Sequence, residues 1–201
     1  MLDTRVKHLL AAPLDALAEI AIRARLSANM VTLIGFGLGL LGVGFVALDT
    51  LPLGALFLAL NRLADGVDGA VARKTKTTAL GAYLDTVLTY FIFAGLAFSF
   101  VAARQQFGLS GGFLLFSLFL VAVTDLATRS FQGANAREED KGAFTSFLLV
   151  KKTWTSGFYL IVLLQPFMFA FLPYPFGALC LLTAAVRIAT AVAALSSSAR
   201  P

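Results

Sequence analysis

Asn61-Arg62-Leu63-Ala64-Asp65-Gly66-Val67-Asp68-Gly69-Ala70-Val71-Ala72-Arg73, followed by Gly81-Ala82-Tyr83-Leu84-Asp85, sets three carboxylates and two guanidinium groups inside an otherwise apolar sequence. On the amino-terminal side the chain reads as uninterrupted apolar residues back to Leu51, and on the carboxy-terminal side it is apolar from Val87 to Ala103 except for small polar residues. Runs of this length cannot be half-buried strands, because they lack alternation and exceed strand length. They read as helices that cross a bilayer, which needs roughly 20 mostly apolar residues for about 30 Å of hydrocarbon.

The same reading extends over the whole chain of 201 residues. It is 59% hydrophobic and 13% charged, with mean hydropathy +0.85. Soluble domains carry about 25% charged residues, so the polar surface is too small to cover a globule in water. A cytosolic enzyme, a nucleic-acid-binding module and a disordered chain are excluded. The apolar runs predict an all-α polytopic membrane protein with six transmembrane helices over residues 30–48, 52–73, 79–102, 109–134, 154–172 and 174–196. No repeat or linker divides residues 1–201, so a single membrane domain is expected.

Residues 1–25 differ. After Pro13, Leu14, Leu17 and Ala21 share one helical face, and Asp15, Glu19 and Arg23 share another. That pattern predicts an N-terminal amphipathic helix on the membrane surface. It is not that of a signal peptide, since an uncharged apolar core and a small-residue cleavage site are missing. The basic residues orient the spans. Twelve of the sixteen Lys and Arg residues flank one side of the predicted bundle, and only Arg104 flanks the other. The basic side faces the cytoplasm, which places both termini and the Asp-rich junction there. Cys180, the single cysteine, excludes an intrachain disulfide and a Cys-based zinc site.

Asp65 and Asp68 are three residues apart, so a helix puts them on one face. Asp85 follows on the next helix, where a short connection makes it an antiparallel neighbour. Carboxylates near a bilayer centre each cost about 2.5–3.5 kcal/mol, and clustered they repel one another. Divalent cations would relieve both costs, and hard oxygen ligands suit Mg2+ or Mn2+. A salt-bridge network with Arg62 and Arg73 is the alternative. Gly66 and Gly69 leave the backbone open beside the two Asp residues. Asp125 and Arg129, four apart, read as an i,i+4 pair.

Asp65-x2-Asp68-Gly69-x2-Ala72-Arg73-x7-Gly81-x3-Asp85 resembles the signature of the CDP-alcohol phosphotransferases (CDP-alcohol phosphatidyltransferases), with seven typed positions in 21 residues. Leu26-Ser27-Ala28-Asn29-Met30-Val31-Thr32-Leu33 resembles the stretch that opens that family's first span. The resemblance covers about residues 25–98. It implies six-helix membrane enzymes of phospholipid biosynthesis, which move a phosphatidyl-type group from a CDP-linked lipid, usually CDP-diacylglycerol, to an acceptor alcohol and release CMP. It further implies Asp65, Asp68 and Asp85 as ligands of Mg2+ or Mn2+, and Gly69, Ala72, Arg73 and Gly81 as the nucleotide-binding part. It also implies a homodimer in a membrane, here a bacterial inner membrane. Lys151 and Lys152 are read as contacts to anionic membrane lipids, with an acceptor-binding site as the alternative.

Two departures stand out. The spacer before Gly81 is one residue shorter than the commoner form, and Thr89 stands where the family has a fourth Asp, its expected general base. A Thr hydroxyl cannot take a proton at neutral pH. Thr89 therefore predicts a slow enzyme, one with a substitute base, an acceptor that needs no strong base, or an engineered inactivation. The remaining alternative is a non-catalytic relative that binds CDP-lipid or metal as a partner or regulator. The acceptor alcohol is not legible.

Overall fold

The computed structural model describes residues 2–135 and 152–198, and every regular element among them is a helix. They fall into two compact units, residues 1–99 and residues 100–201. The first contains α1 (Leu2–Arg23), α2 (Ala28–Ala47), α3 (Leu51–Lys74) and α4 (Ala79–Ala103) up to Ser99.

Short turns with local hydrogen bonds separate these helices. At the end of α1, Leu26 N–H donates to Ala21 O at 3.0 Å and Arg25 N–H to Ile22 O at 2.9 Å, with Arg25 at φ 58°. After α2, Thr50 N–H donates to Phe45 O and Asp49 N–H to Val46 O, with Asp49 at φ 56°. Both are left-handed helix stops that satisfy carbonyls the helix leaves open. Ser27 caps α2 by accepting from Met30 N–H, and Thr78 accepts from Gly81 N–H at the start of α4.

The core of this unit rests on small residues. α2 buries Val31, Gly35, Gly39, Gly42 and Val46. A Cβ on Gly35 would lie 2.8 Å from Ala64 Cβ, and one on Gly54 would lie 2.5 Å from Val46 Cγ2. Such contacts let backbones approach closely, as helices in lipid require. Gly35→Ala is therefore expected to destabilise the protein by about 1–3 kcal/mol, the usual cost of overpacking. Adding Ala64→Gly should return most of that loss. Thermal unfolding in detergent, followed by circular dichroism, checks both, and an unchanged melting temperature in Gly35→Ala would refute the close contact.

α1 runs unbroken through Pro13. Its packed face is Leu14, Ala18, Ala21 and Ile22, set against Val31, Val67, Ala70 and Val71. Leu17, expected on that face, is exposed beside Ile20. Gly66 of α3 leaves room for the Leu14 side chain, since a Cβ on Gly66 would lie 3.0 Å from Leu14 Cδ2. The opening that Gly66 leaves is thus filled by α1. Lys74 Nζ lies 3.0 Å from Glu19 Oε1 and 4.0 Å from Asp15 Oδ1, and its ammonium holds the Glu19 carboxyl below the ordinary carboxylate value.

The second unit holds a 3-10 turn (Gln105–Phe107), α5 (Gly108–Asn135), α6 (Lys152–Leu164), a second 3-10 turn (Pro166–Ala170) and α7 (Pro173–Ser198). Phe100 and Phe169 stack at 4.3 Å between centroids, with Phe107 edge-on to both. Arg187 Nη2 lies 3.2 Å from Asp125 Oδ1, and Arg187 Nη1 donates to Val121 O. Arg187 thus joins α7 to α5 through Asp125. The Arg129 side chain lies outside the described residues.

Among the described residues, four segments are long and apolar enough to cross a membrane: Ala28–Ala47, Ala79–Ala103, Gln105–Thr128 and Pro173–Ala193. They coincide with four of the six expected spans. α3 spans the expected 52–73 with 24 residues, but its polar motif lowers its hydropathy. The expected span 154–172 is not one helix. α6 has 13 residues and stops at Leu164, because Pro166 lacks an N–H and its ring clashes with the preceding turn. At 1.5 Å per residue α6 reaches only about 20 Å.

Candidate functional site

α3 supplies Asp65 and Asp68, and α4 supplies Asp85. Asp65, Asp68 and Asp85 each offer an oxygen, and the three atoms lie within 4.8 Å of one another. Asp68 is buried, and Asp65 and Asp85 are half-buried. One pocket is lined by all three together with Thr89, Arg62 and Asn61. Thr89, one turn beyond Asp85 on α4, is 4% exposed.

Neighbouring helices orient these side chains. Thr32 of α2 donates through Oγ1 to Asp68 Oδ2 at 2.6 Å, which leaves Asp68 its other oxygen. Asn61 Nδ2 donates to Gly35 O at 2.8 Å. Arg62 Nε donates to Asn61 Oδ1 at 2.9 Å, and Nη2 donates to the same oxygen at 2.5 Å. Arg62 Cζ lies 5.1 Å from the Phe93 ring centre, a cation–π contact. Arg62 Nη1 lies 3.8 Å from Asp65 Oδ2 and is buried without a hydrogen-bond partner.

The donor set fits a divalent cation. It consists of hard carboxylate oxygens from two helices, within 4.8 Å of one another, the ligand type that suits Mg2+ or Mn2+. Three carboxylates this close repel one another, and a cation held among them would relieve that repulsion.

The family model described as CDP-alcohol phosphatidyltransferase matches residues 25–197. The chain belongs to the CDP-alcohol phosphatidyltransferase family. The members of this family are transferases that use divalent metal. The inner membrane protein YnjF of Escherichia coli is 31% identical over the full length of both chains. A bifunctional IPC transferase and DIPP synthase of Aquifex aeolicus is 40% identical over 65 residues, 32% of this chain and 15% of that one. The fold is shared with the phosphatidylinositol phosphate synthase of Mycobacterium tuberculosis, solved with CDP-DAG bound. There the TM-score is 0.60 and the identity 19%, over 91% of this chain and 92% of the other. The chain is an integral membrane protein.

The other motif positions are placed as follows. Gly69 is half-buried, and a Cβ there would meet only the Arg73 guanidinium, at 3.3 Å. Ala72 is half-buried, while Arg73 is exposed in the last turn of α3. A Cβ on Gly81 would lie 2.8 Å from Asn29 Oδ1, so the glycine admits the approach of the segment that opens α2. Lys151 lies outside the described residues, and Lys152 is the first residue of α6 in the second unit.

Sequence reading missed three site residues. Thr32 and Asn61 were not singled out, and Arg62 was weighed only as a countercharge. A helical projection from Asp65 would have found Arg62 and Asn61, three and four residues earlier on the same face. No local signal links Thr32 to Asp68, since that contact crosses from α2 to α3.

Proposed function

We propose that the protein is a CDP-alcohol phosphotransferase of phospholipid biosynthesis, transferring a phosphatidyl-type group from a CDP-linked lipid to an acceptor alcohol with release of CMP. The observation that carries this reading is the meeting of Asp65, Asp68 and Asp85 in one pocket. The CDP-DAG in the Mycobacterium structure supports the donor class.

Asp65, Asp68 and Asp85 hold Mg2+ or Mn2+, with Thr32 fixing the Asp68 carboxylate. A divalent metal held by these residues would supply charge neutralisation for the phosphate groups. Phosphoryl transfer needs positioning and charge neutralisation more than covalent help. Gly69, Ala72 and Gly81 line the approach of the nucleotide, and Arg73 binds a phosphate oxygen. The acceptor hydroxyl oxygen bonds to the phosphorus nearer the lipid as the bond from that phosphorus to the bridging oxygen breaks. CMP departs with that oxygen. Thr89 occupies the position of the base, so deprotonation of the acceptor is weakly assisted. Lys151 and Lys152 are candidate contacts for an anionic acceptor.

The excess of basic residues on one side of the spans supports a six-span topology with termini and site in the cytoplasm, and α1 at the membrane surface. The Escherichia coli relative supports a bacterial inner membrane. The single-domain reading and a homodimer belong to the same proposal. A second reading, favoured by Thr89, is a non-catalytic relative that binds CDP-lipid or metal as a partner or regulator.

The deciding experiment is CMP release from CDP-diacylglycerol by purified protein with Mg2+ or Mn2+ and a panel of acceptor alcohols. Metal-dependent CMP release with at least one acceptor is expected. Binding of CDP-diacylglycerol with no CMP release from any acceptor would favour the non-catalytic reading.

A further inference from the structure

Arg62 stands outside the motif positions, three residues before Asp65, yet lines the same pocket as the three carboxylates. Its orientation is set from three sides. Nε and Nη2 donate to Asn61 Oδ1, Asn61 is tied in turn to the Gly35 carbonyl, and the Phe93 ring supports the guanidinium. Nη1 is left over. It is buried without a hydrogen-bond partner, and Asp65 Oδ2 at 3.8 Å is beyond hydrogen-bond range. A buried donor without an acceptor is costly, so an acceptor arriving with the substrate gains from meeting it.

Charge supplies an independent argument. Asp65, Asp68 and Asp85 bring three carboxylate oxygens within 4.8 Å of one another, and one divalent cation held among them would relieve their repulsion. Thr89 is not a carboxylate, so the pocket lining offers a second divalent ion no anionic side chain beyond those that hold the first. We propose that this site takes one divalent cation and that Arg62 stands in for a second, donating through Nη1 to a phosphate oxygen of the CDP-linked substrate. A guanidinium suits the task because it is planar, permanently charged and matched to phosphate geometry. The inference rests on the reading of the pocket as a CDP-alcohol phosphotransferase site.

The test uses the full-length protein in nanodiscs. Bound Mn2+ is counted by electron paramagnetic resonance during MnCl2 titration, and CDP-diacylglycerol affinity is measured calorimetrically at saturating Mn2+. Wild type should bind one Mn2+ per chain. Arg62→Gln should keep that ion but bind CDP-diacylglycerol about 10- to 100-fold more weakly, the worth of one charge-assisted hydrogen bond. Arg62→Lys should recover part of the loss. Combining Arg62→Gln with Thr89→Asp exchanges a cation for an amide and adds a carboxylate, so the double variant should bind two Mn2+.

Two ions in wild type, or a folded Arg62→Gln with wild-type affinity for CDP-diacylglycerol, would overturn the proposal and leave the transferase reading standing. A wild type that binds neither Mn2+ nor CDP-diacylglycerol would remove both. Should Arg62→Gln fail to fold, the wild-type ion count and the Arg62→Lys affinity decide. One ion together with weakened lipid binding supports the proposal, and any other result refutes it.

Discussion

Replacing Thr89 by aspartate is expected to raise the rate of CMP release by about 10²–10⁴-fold, the usual worth of general-base catalysis. Thr89 is buried on α4, one turn beyond Asp85, and lines the pocket of the three carboxylates. The seven typed motif positions from Asp65 to Asp85 are intact, so the residue that differs is the one whose chemistry the acceptor hydroxyl requires. Asp is close to Thr in volume, so packing around position 89 should admit it, and a cation bound at the site would offset the added charge. Steady-state CMP release with a productive acceptor measures the effect. A variant that binds Mn2+ normally yet gains no rate over a measurable wild-type background would show that Thr89 does not limit catalysis. A wild type that already turns over well would mean that another group takes the proton.

Removing any one of the three carboxylates should have the opposite effect. Asp65→Ala, Asp68→Ala and Asp85→Ala are each expected to weaken Mn2+ binding and to lower turnover by about 10³-fold, since metal-derived charge stabilisation is worth several kcal/mol and each 1.36 kcal/mol is tenfold. Asp68 should be the most sensitive, because it is the buried member of the set and is already oriented by Thr32. Thr32→Val, which removes only that orienting bond, should cost about 10–100-fold, in the range for partners that position a ligand. Calorimetry with MnCl2 reads the binding directly and does not depend on knowing the acceptor. Unchanged Mn2+ affinity in all three Ala variants would refute the assignment of these carboxylates.

The contrast between these two sets of residues follows from how each is encoded. The Asp spacing is visible because helical periodicity alone puts positions 65 and 68 on one face, and because a carboxylate in an apolar run is costly enough to stand out. The role of Thr32 is invisible to the same reading, since a threonine in an apolar helix is common and its partner is 36 residues away. Arg62 is visible as a charge but not as a positioned group. Its setting depends on Asn61 reaching the backbone of α2 through the space left by glycines.

By itself the sequence determined the class of the protein, the approximate extent of its long helices and the three carboxylates of the motif. These are local properties. An apolar run must close its own backbone hydrogen bonds in lipid, so hydropathy and length are enough to read it. The tertiary structure decided which of several equally spaced partners meet. It put Ala18 rather than Leu17 against α3, joined Asp125 to Arg187 of α7, and ended α6 at Leu164 ahead of a short 3-10 turn. It also brought Asp85 and Thr89 beside Asp65 and Asp68, and aligned Arg62 at the rim of the carboxylates. Each of these outcomes depends on which neighbouring helix comes close and which small residues let it, a quantity set by packing between distant segments and absent from the period of any one of them.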